Sequence, residues 1–181
     1  MRVGLISILL MCFLMPSAHA GMIGLGAGVS GGLEFPIAQQ DQKQGSVFGF
    51  KARIKLLPII VIEPGLNFTR YGNPEFDDFT SDLEGAKVTA YCLDAVLGGS
   101  FGGVGVKPYG LFGIGYYATS LDQVGTENKN TGWSTGFGVE IGVASKVGLD
   151  FRGHVAVIST DGGGTKKSGA VTAGINFYFG K

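Results

Sequence analysis

Eight charged residues lie on the polar face of segments in which apolar and polar residues alternate. Four are cations and four are anions: Lys51, Arg53, Lys55 and Arg152, with Glu63, Asp94, Glu140 and Asp150. If that face is buried, each charge needs a partner of opposite sign, because an isolated charge is costly away from water. The equal numbers therefore predict an internal salt-bridge network.

His154 is the one histidine after residue 20, so it is the first candidate for acid–base or nucleophilic chemistry. Alternation places it on the same face as Asp150 and Arg152, and no serine or cysteine nucleophile with an orienting acid accompanies it in the sequence. Cys92 shares the face of Asp94 and is predicted to be a buried, inert thiol. We expect no enzyme and no catalytic residue.

Three further motifs suggest ligands but lack the required context. Residues 26–31 fit G-x-G-x-x-G without a following helix, and residues 161–169 are glycine- and lysine-rich without the Gly-Lys pair of a phosphate loop. Carboxylates clustered in residues 75–84 could take a divalent cation, but their spacing does not fit an EF-hand loop, so a hydrated loop is favoured. We expect no cofactor and no metal site.

The elements that position these side chains are predicted to be strands, because the period of alternation is two. Eight segments show it: 22–36, 45–57, 59–71, 86–99, 106–119, 132–144, 147–159 and 168–179. Each is long enough for the ~9–11 residues with which a tilted strand crosses a bilayer. Connections alternate between short turns and longer polar loops, which is typical of bacterial outer-membrane barrels. Both termini then lie on the periplasmic side.

The N-terminal 20 residues are predicted to be a secretory signal peptide. Arg2 precedes an apolar stretch that ends at Ala18-His19-Ala20, a small-x-small cleavage pattern. The predicted domains are therefore a signal peptide at 1–20 and a barrel at 21–181. The 14 Lys and Arg residues balance the 14 Asp and Glu residues, which argues against a nucleic-acid partner.

The two faces of the segments indicate the surrounding medium. One face carries Phe, Ile, Leu, Val and Trp, whereas the other is rich in glycine, of which the chain has 33. An eight-stranded barrel is only wide enough inside for side chains. We predict an all-β, eight-stranded antiparallel up-and-down transmembrane barrel with an apolar exterior and a closed, charge-paired lumen.

The C-terminal sequence VTAGINFYFGK resembles the end of small outer-membrane β-barrels of the OmpA/OmpX type. In that family the last strand carries an assembly signal, which is matched here by Thr172, Gly174, Phe177 and Phe179. The resemblance implies an outer-membrane location and recognition by the barrel-assembly machinery. An aromatic belt at the outer membrane interface is also expected, and the candidates for it are Phe68, Tyr71, Tyr116 and Trp133.

Three functions are compatible with the predicted outer-membrane barrel. We favour a structural or surface-interaction (adhesion or envelope) role, in which loops 73–85 and 121–130 contact a surface ligand. The alternatives are a narrow channel for ions or small solutes and, less favoured, a lipid-modifying enzyme of the outer membrane. The expected partners are outer-membrane lipid and lipopolysaccharide, and a closed barrel without a free edge is expected to be a monomer.

Overall fold

The computed structural model describes residues 24–37, 43–72, 75–76, 79–80, 85–98, 101–121, 126–160 and 163–179. The strands are β1 (Gly24–Ile37), β2 (Lys43–Leu57), β3 (Ile60–Gly72), β4 (Glu75–Phe76), β5 (Phe79–Thr80), β6 (Lys87–Gly98), β7 (Gly105–Leu121), β8 (Thr126–Ala144), β9 (Val147–Ser159) and β10 (Thr165–Phe179). None of the described residues forms a helix long and apolar enough to cross a membrane. The predicted signal peptide lies outside the described residues.

Eight of these strands close into one antiparallel barrel in the order β1-β10-β9-β8-β7-β6-β3-β2. The first and last strands pair in continuous register, from Leu25 opposite Phe179 to Ile37 opposite Lys167, so the sheet has no edge along that seam. The small strands β4 and β5 pair with each other in the connection after β3. The predicted fold class is confirmed, and seven of the eight strands have both ends within about three residues of the prediction.

The outer surface of the barrel is apolar. Large hydrophobic side chains exposed there include Leu33, Phe48, Phe50, Leu93, Phe112, Ile114, Phe137, Val171 and Phe177. Phe137 is 76% exposed. Side chains of successive residues point to opposite faces of a strand, so the polar residues between these positions point into the lumen. A monomeric soluble protein rarely exposes a continuous apolar surface of this kind, whereas lipid covers it at no cost.

The core of the molecule is the lumen itself. Val61, Val96, Tyr109 and Leu111 form one buried cluster in the periplasmic half, with Phe101 packed against it. Ala90, Tyr117 and Ala156 form a second cluster in the extracellular half. The interior is filled by side chains, as the width of an eight-stranded barrel requires.

One predicted loop is largely strand. Residues 121–130 were expected to be a loop, but β7 and β8 stay paired up to Leu121 opposite Thr126, which leaves 122–125 as the connection. The pairing between β8 and β9 begins at Gly132, so the hairpin extends beyond β9 on the extracellular side. The prediction was wrong because residues 126–131 are all polar and carry no apolar alternation, although a polar segment continues as a strand when a neighbour pairs with it. Of loop 73–85, the structure describes β4, β5 and Gly85.

Candidate functional site in the barrel lumen

Arg53 lies at the centre of the charge cluster in the periplasmic half of the lumen. Its side chain is fully buried, as are those of its two carboxylate partners, Glu63 and Glu140. Arg53 Nε lies 2.7 Å from Glu63 Oε1, and Nη1 donates a hydrogen bond to Glu140 Oε2. The planar guanidinium therefore bridges carboxylates from two strands, which a lysine ammonium could not do with the same geometry.

Arg152 forms a second centre beside the first. Its Nη2 lies 2.5 Å from Glu63 Oε2 and 3.7 Å from Asp150 Oδ2, and its Nη1 lies 3.5 Å from Asp94 Oδ2. Lys51 Nζ lies 2.5 Å from Asp150 Oδ2 and 4.0 Å from Glu63 Oε2. Seven of the eight charged residues singled out in the sequence therefore lie in one connected cluster.

Neutral side chains complete the cluster, and the sequence reasoning did not single them out. Tyr109 Oη donates to Asp150 Oδ1 at 2.5 Å, and Asn176 Nδ2 donates to Glu140 Oε2 at 2.8 Å. Tyr178 Oη also donates to Glu140 Oε2. All three lie at lumen-facing positions of their strands, so extending the alternation argument from charges to tyrosine and asparagine would have found them.

Lys55 is the exception among the predicted charges. Its Nζ lies 5.8 Å from the ring centroid of Phe101, outside the cluster. The prediction that it joins the salt bridges was wrong because Lys55 lies at the periplasmic end of β2, below the carboxylates. Lys107 of β7 supplies a cation there instead, with its Nζ 3.9 Å from Glu140 Oε1.

The connection between β6 and β7 folds inward beneath the charge cluster. The Phe101 ring packs against the periplasmic core and lies 4.7 Å, centroid to centroid, from the ring of Tyr178 on β10. A Cβ atom on Gly24 of β1 would overlap the Phe101 ring, so glycine is needed for this approach. Phe101 thus reaches from one side of the periplasmic mouth to the opposite strands.

Polar contacts hold this connection in place. The Gly103 amide donates to the carbonyl of Ser145, in the turn between β8 and β9, at 3.0 Å. Lys107 Nζ donates to the carbonyl of Gly103 at 2.6 Å and also to that of Gly102. Gly102 and Gly103 have φ values of 59° and 81°, in the left-handed region that favours glycine. We call residues 101–104 the periplasmic cap.

The closed barrel with a packed, charged interior agrees with a family comparison. The family model described as the outer membrane protein beta-barrel domain matches residues 5–179. The chain belongs to this family. It is therefore a barrel protein of the cell outer membrane, as its apolar exterior requires.

Three solved structures resemble this outer-membrane barrel. Neisserial surface protein A (NspA) has 18% identity and a TM-score of 0.62, with 87% of this chain and 97% of that chain covered. The N-terminal β-barrel domain of Pseudomonas aeruginosa OprF has 14% identity, a TM-score of 0.55 and coverages of 85% and 97%. Ail, the attachment invasion locus protein of Yersinia pestis, has 17% identity, a TM-score of 0.50 and coverages of 89% and 100%. At these low identities the structural likeness shows a shared fold alone. The comparison with curated proteins gave no match.

The predicted aromatic belt of the outer-membrane barrel needs one correction. Phe68, Tyr116 and Trp133 are exposed on the outer surface, at 44%, 40% and 45%. Tyr71 is buried instead and donates from Oη to Glu34 Oε1 at 2.7 Å inside the lumen. Tyr71 lies three residues after Phe68, and an odd separation along a strand reverses the face. Tyr91, which the sequence reasoning missed, is exposed with its ring 6.4 Å from that of Tyr116.

The extracellular half of the lumen contains a cavity of about 60 Å³ above the charge cluster. Its polar lining comprises Ser30, Glu34, Asn67, Thr69, Asp94, Tyr117, Ser134, His154 and Thr172, together with Lys51, Glu63 and Arg152 of the charge cluster, and Cys92 also borders it. Cys92 is a free thiol, with its Sγ 3.8 Å from Asn67 Nδ2. His154 therefore faces the lumen, as the alternation predicted.

The four residues of the predicted assembly signal lie in the last strand, β10, which closes the barrel against β1. Phe177 and Phe179 point outward and are 47% and 57% exposed, whereas Thr172 is buried in the lumen. Gly174 pairs with Ser30 of β1, and a Cβ there would lie 2.9 Å from the Ser30 Cβ. The two aromatic side chains are thus presented to the membrane on the strand that completes the sheet.

Proposed function

We propose that this outer-membrane barrel has a closed lumen and serves a structural or surface-interaction role in the envelope, with its extracellular loops as the working surface. The observation that carries the proposal is the double obstruction of the periplasmic half. The charge cluster around Arg53 and Arg152 fills the lumen there, and the periplasmic cap lies beneath it. A solute entering from outside would meet charged side chains that are already paired with one another.

The extracellular side supports the second half of the proposal. The β7–β8 hairpin extends past the barrel wall, and β4 with β5 forms a small sheet in another connection on the same side. Loops on a rigid scaffold are where binding residues are usually found. Loop 73–85 and the end of the β7–β8 hairpin, residues 121–130, are therefore the segments we propose to contact a surface ligand.

We also propose three general partners. Lipid contacts the apolar exterior, and lipopolysaccharide phosphates face Arg70 of β3 and Lys87 of β6, which lie opposite each other at the extracellular rim. The barrel-assembly machinery would bind β10 through Phe177 and Phe179. Because the described sheet closes on itself, no strand edge in its wall needs a second subunit, and we propose a monomer.

The position of His154 does not favour catalysis on lipid. A lipid substrate would approach the outer surface, whereas His154 faces the lumen, in line with Arg152 and Ala156 on β9. A nucleophile activated by His154 would therefore act on a solute inside the barrel rather than on lipid.

Single-channel recording tests the closed lumen. Residues 21–181 would be refolded, checked for the heat-modifiable gel mobility of a folded barrel, and inserted into a planar bilayer. We expect a folded protein with no discrete conductance steps. Steps at low voltage would instead favour the alternative function, a narrow channel whose lumen charges line a water path.

A loop replacement tests the surface role separately. Replacing residues 73–85 by a short turn should abolish binding of whole cells to a host-cell or matrix surface. The matched control changes the periplasmic turn at Ser145 and Lys146, which no external ligand can reach. Equal binding by the loop-replaced, control and unchanged proteins would refute the surface role and leave the closed-lumen result unaffected.

A further inference from the structure

Glu34 is a half-buried lumen carboxylate with no cationic side chain of the described residues in salt-bridge range. Every other lumen acid in the described part of the chain lies within 4.0 Å of an arginine or lysine nitrogen. Glu34 Oε2 instead accepts from Thr69 Oγ1 at 2.5 Å and Oε1 accepts from Tyr71 Oη at 2.7 Å. Its strand neighbours, Leu33 and Phe35, are exposed apolar residues, which places Glu34 at a depth where lipid surrounds the barrel.

A carboxylate at that depth is unusual. Ionisable residues within the membrane are costly, face protein or water-filled interiors, and pair with an opposite charge or mark the site of an ion or substrate. Two hydroxyl donors satisfy part of the hydrogen-bonding capacity of Glu34 but leave its negative charge uncompensated. The missing partner is therefore a positive charge.

His154 supplies a second polar group that lacks a partner. Its Nδ1 atom is buried, with no hydrogen-bond partner among the described residues. The strand register brings it to the level of Glu34, since Glu34 lies opposite Ala170 and Ala170 lies opposite His154. Two strand spacings separate the two backbones by about 10 Å. The short Ala170 side chain between them leaves that space open to the cavity that both line.

We propose that Glu34 and His154 form a binding site for a small cation of the ammonium type in the extracellular half of the lumen. An ammonium group carries the charge that Glu34 lacks and N–H donors for the Glu34 carboxylate and the neutral His154 imidazole. The cavity of about 60 Å³ has room for such a group with a few waters. Four members of the charge cluster also border the cavity, Lys51, Glu63, Asp94 and Arg152. Their charges cancel, so Glu34 gives the lining its net negative charge, and the site does not depend on any path through the barrel.

The NMR resonance of the His154 imidazole can report binding at this site. Residues 21–181 contain one histidine, so a protein purified without a histidine tag gives a single imidazole Cε1–H resonance. The refolded barrel would be titrated with ammonium chloride, and in parallel with potassium chloride and tetramethylammonium chloride at equal ionic strength. We expect a saturable shift of the His154 resonance in ammonium alone. The same shift in potassium or tetramethylammonium would overturn the assignment to a hydrogen-bonding cation.

Two sources of the ammonium group are distinguished by further titrations. A shift of the His154 resonance with ammonium but not with 1,4-diaminobutane assigns the site to the free ion. A shift with 1,4-diaminobutane but not with ammonium assigns it to one end of an amine-bearing molecule. No saturable response to either overturns the proposal and leaves the cavity as a water site.

Three variants locate the site. Glu34→Gln keeps the size of the side chain and should weaken binding about tenfold or more, as expected from the loss of a charged hydrogen bond. Ala170→Val should abolish binding by filling the gap while leaving both polar groups in place. Lys129→Gln also replaces one charge by an amide, at an exposed position of β8 that does not border the cavity, and should bind like the unchanged protein. Unchanged binding by folded Glu34→Gln would refute the site.

Discussion

Replacing Glu140 by glutamine should destabilise the barrel strongly. The carboxylate is fully buried and accepts from Arg53, Asn176 and Tyr178, with Lys107 Nζ 3.9 Å away. Glutamine has nearly the same volume, so the change removes the charge and leaves little cavity. Arg53 would keep its contact with the buried Glu63 carboxylate but lose the one with Glu140.

The magnitude follows from the burial of the remaining charges. Removing one member of a buried ion pair costs about 3–5 kcal/mol, because its partner stays away from water without compensation. Folded domains have free energies of unfolding of about 5–15 kcal/mol. Glu140→Gln should therefore remove a large part of the stability while preserving the strand pattern.

A double-mutant cycle separates the ion pair from a general loss of packing. Arg53→Met removes the cation, and the variant carrying both changes restores electrical balance at this point of the lumen. Since buried ion pairs are often replaceable by matched apolar groups, the double variant should be more stable than the sum of the two single effects, by at least about 1 kcal/mol. The matched control is Glu34→Gln, which removes a lumen carboxylate that none of the described cations contacts.

Urea titration in lipid vesicles, followed by the heat-modifiable gel mobility, measures the free energy of unfolding. We expect the midpoint to fall steeply for Glu140→Gln and only slightly for Glu34→Gln. Equal stability of Glu140→Gln and the unchanged protein would mean that water reaches Arg53 in the native barrel. Additive effects in the cycle would mean that the two side chains act independently, and the reasoning about the closed lumen would be refuted.

Three further predictions follow from the cap and the outer surface. Trp133 is the sole tryptophan and is exposed on the outside, so lipids brominated in their acyl chains should quench its fluorescence; emission unaffected by these lipids would place it away from the hydrocarbon. Gly142→Val should displace the cap, because a Cβ at Gly142 would overlap the Gly103 carbonyl, whereas Gly153→Val, with open space around it, should not change stability in the same urea titration. Phe101→Ala should lower the free energy of unfolding by about 1–3 kcal/mol through lost apolar burial, and an unchanged urea midpoint would show that the ring is not packed.

The fold was predictable because alternation and connection length give the same answer. Segments such as 45–57 and 147–159 carry polar and apolar faces at period two, and the short turns at Pro58 and Ser145 separate strands that must pair as neighbours. The sequence also predicted seven members of the charge cluster, since every charged residue on a lumen-facing position of a narrow barrel is close to the others.

The remaining features depend on the height of a side chain along the barrel axis and on the direction in which a turn folds. Alternation of polar and apolar residues specifies neither. Lys55 and Lys51 share a face of β2, but only Lys51 lies at the height of the carboxylates. Phe101 lies in a glycine-rich turn whose direction alternation does not predict, and its inward course depends on glycine at distant positions such as Gly24. Such a contact joins two segments far apart in the chain and is set by packing rather than by local pattern.

The lumen-facing glycines make room for the side chains of the charge cluster. A Cβ atom on Gly113 would overlap the Asp94 carboxylate, one on Gly138 would overlap the Tyr109 ring, and one on Gly148 would lie 2.8 Å from Glu140 Cδ. In each case a lumen-facing position on a neighbouring strand lacks a side chain so that a long polar group can lie across it. Because the barrel circumference is fixed by eight strands, every arginine or tyrosine that crosses the lumen requires small residues beneath it. Reopening the lumen would therefore take coordinated changes at several strands, which is the physical reason to look for function in the extracellular half and the loops.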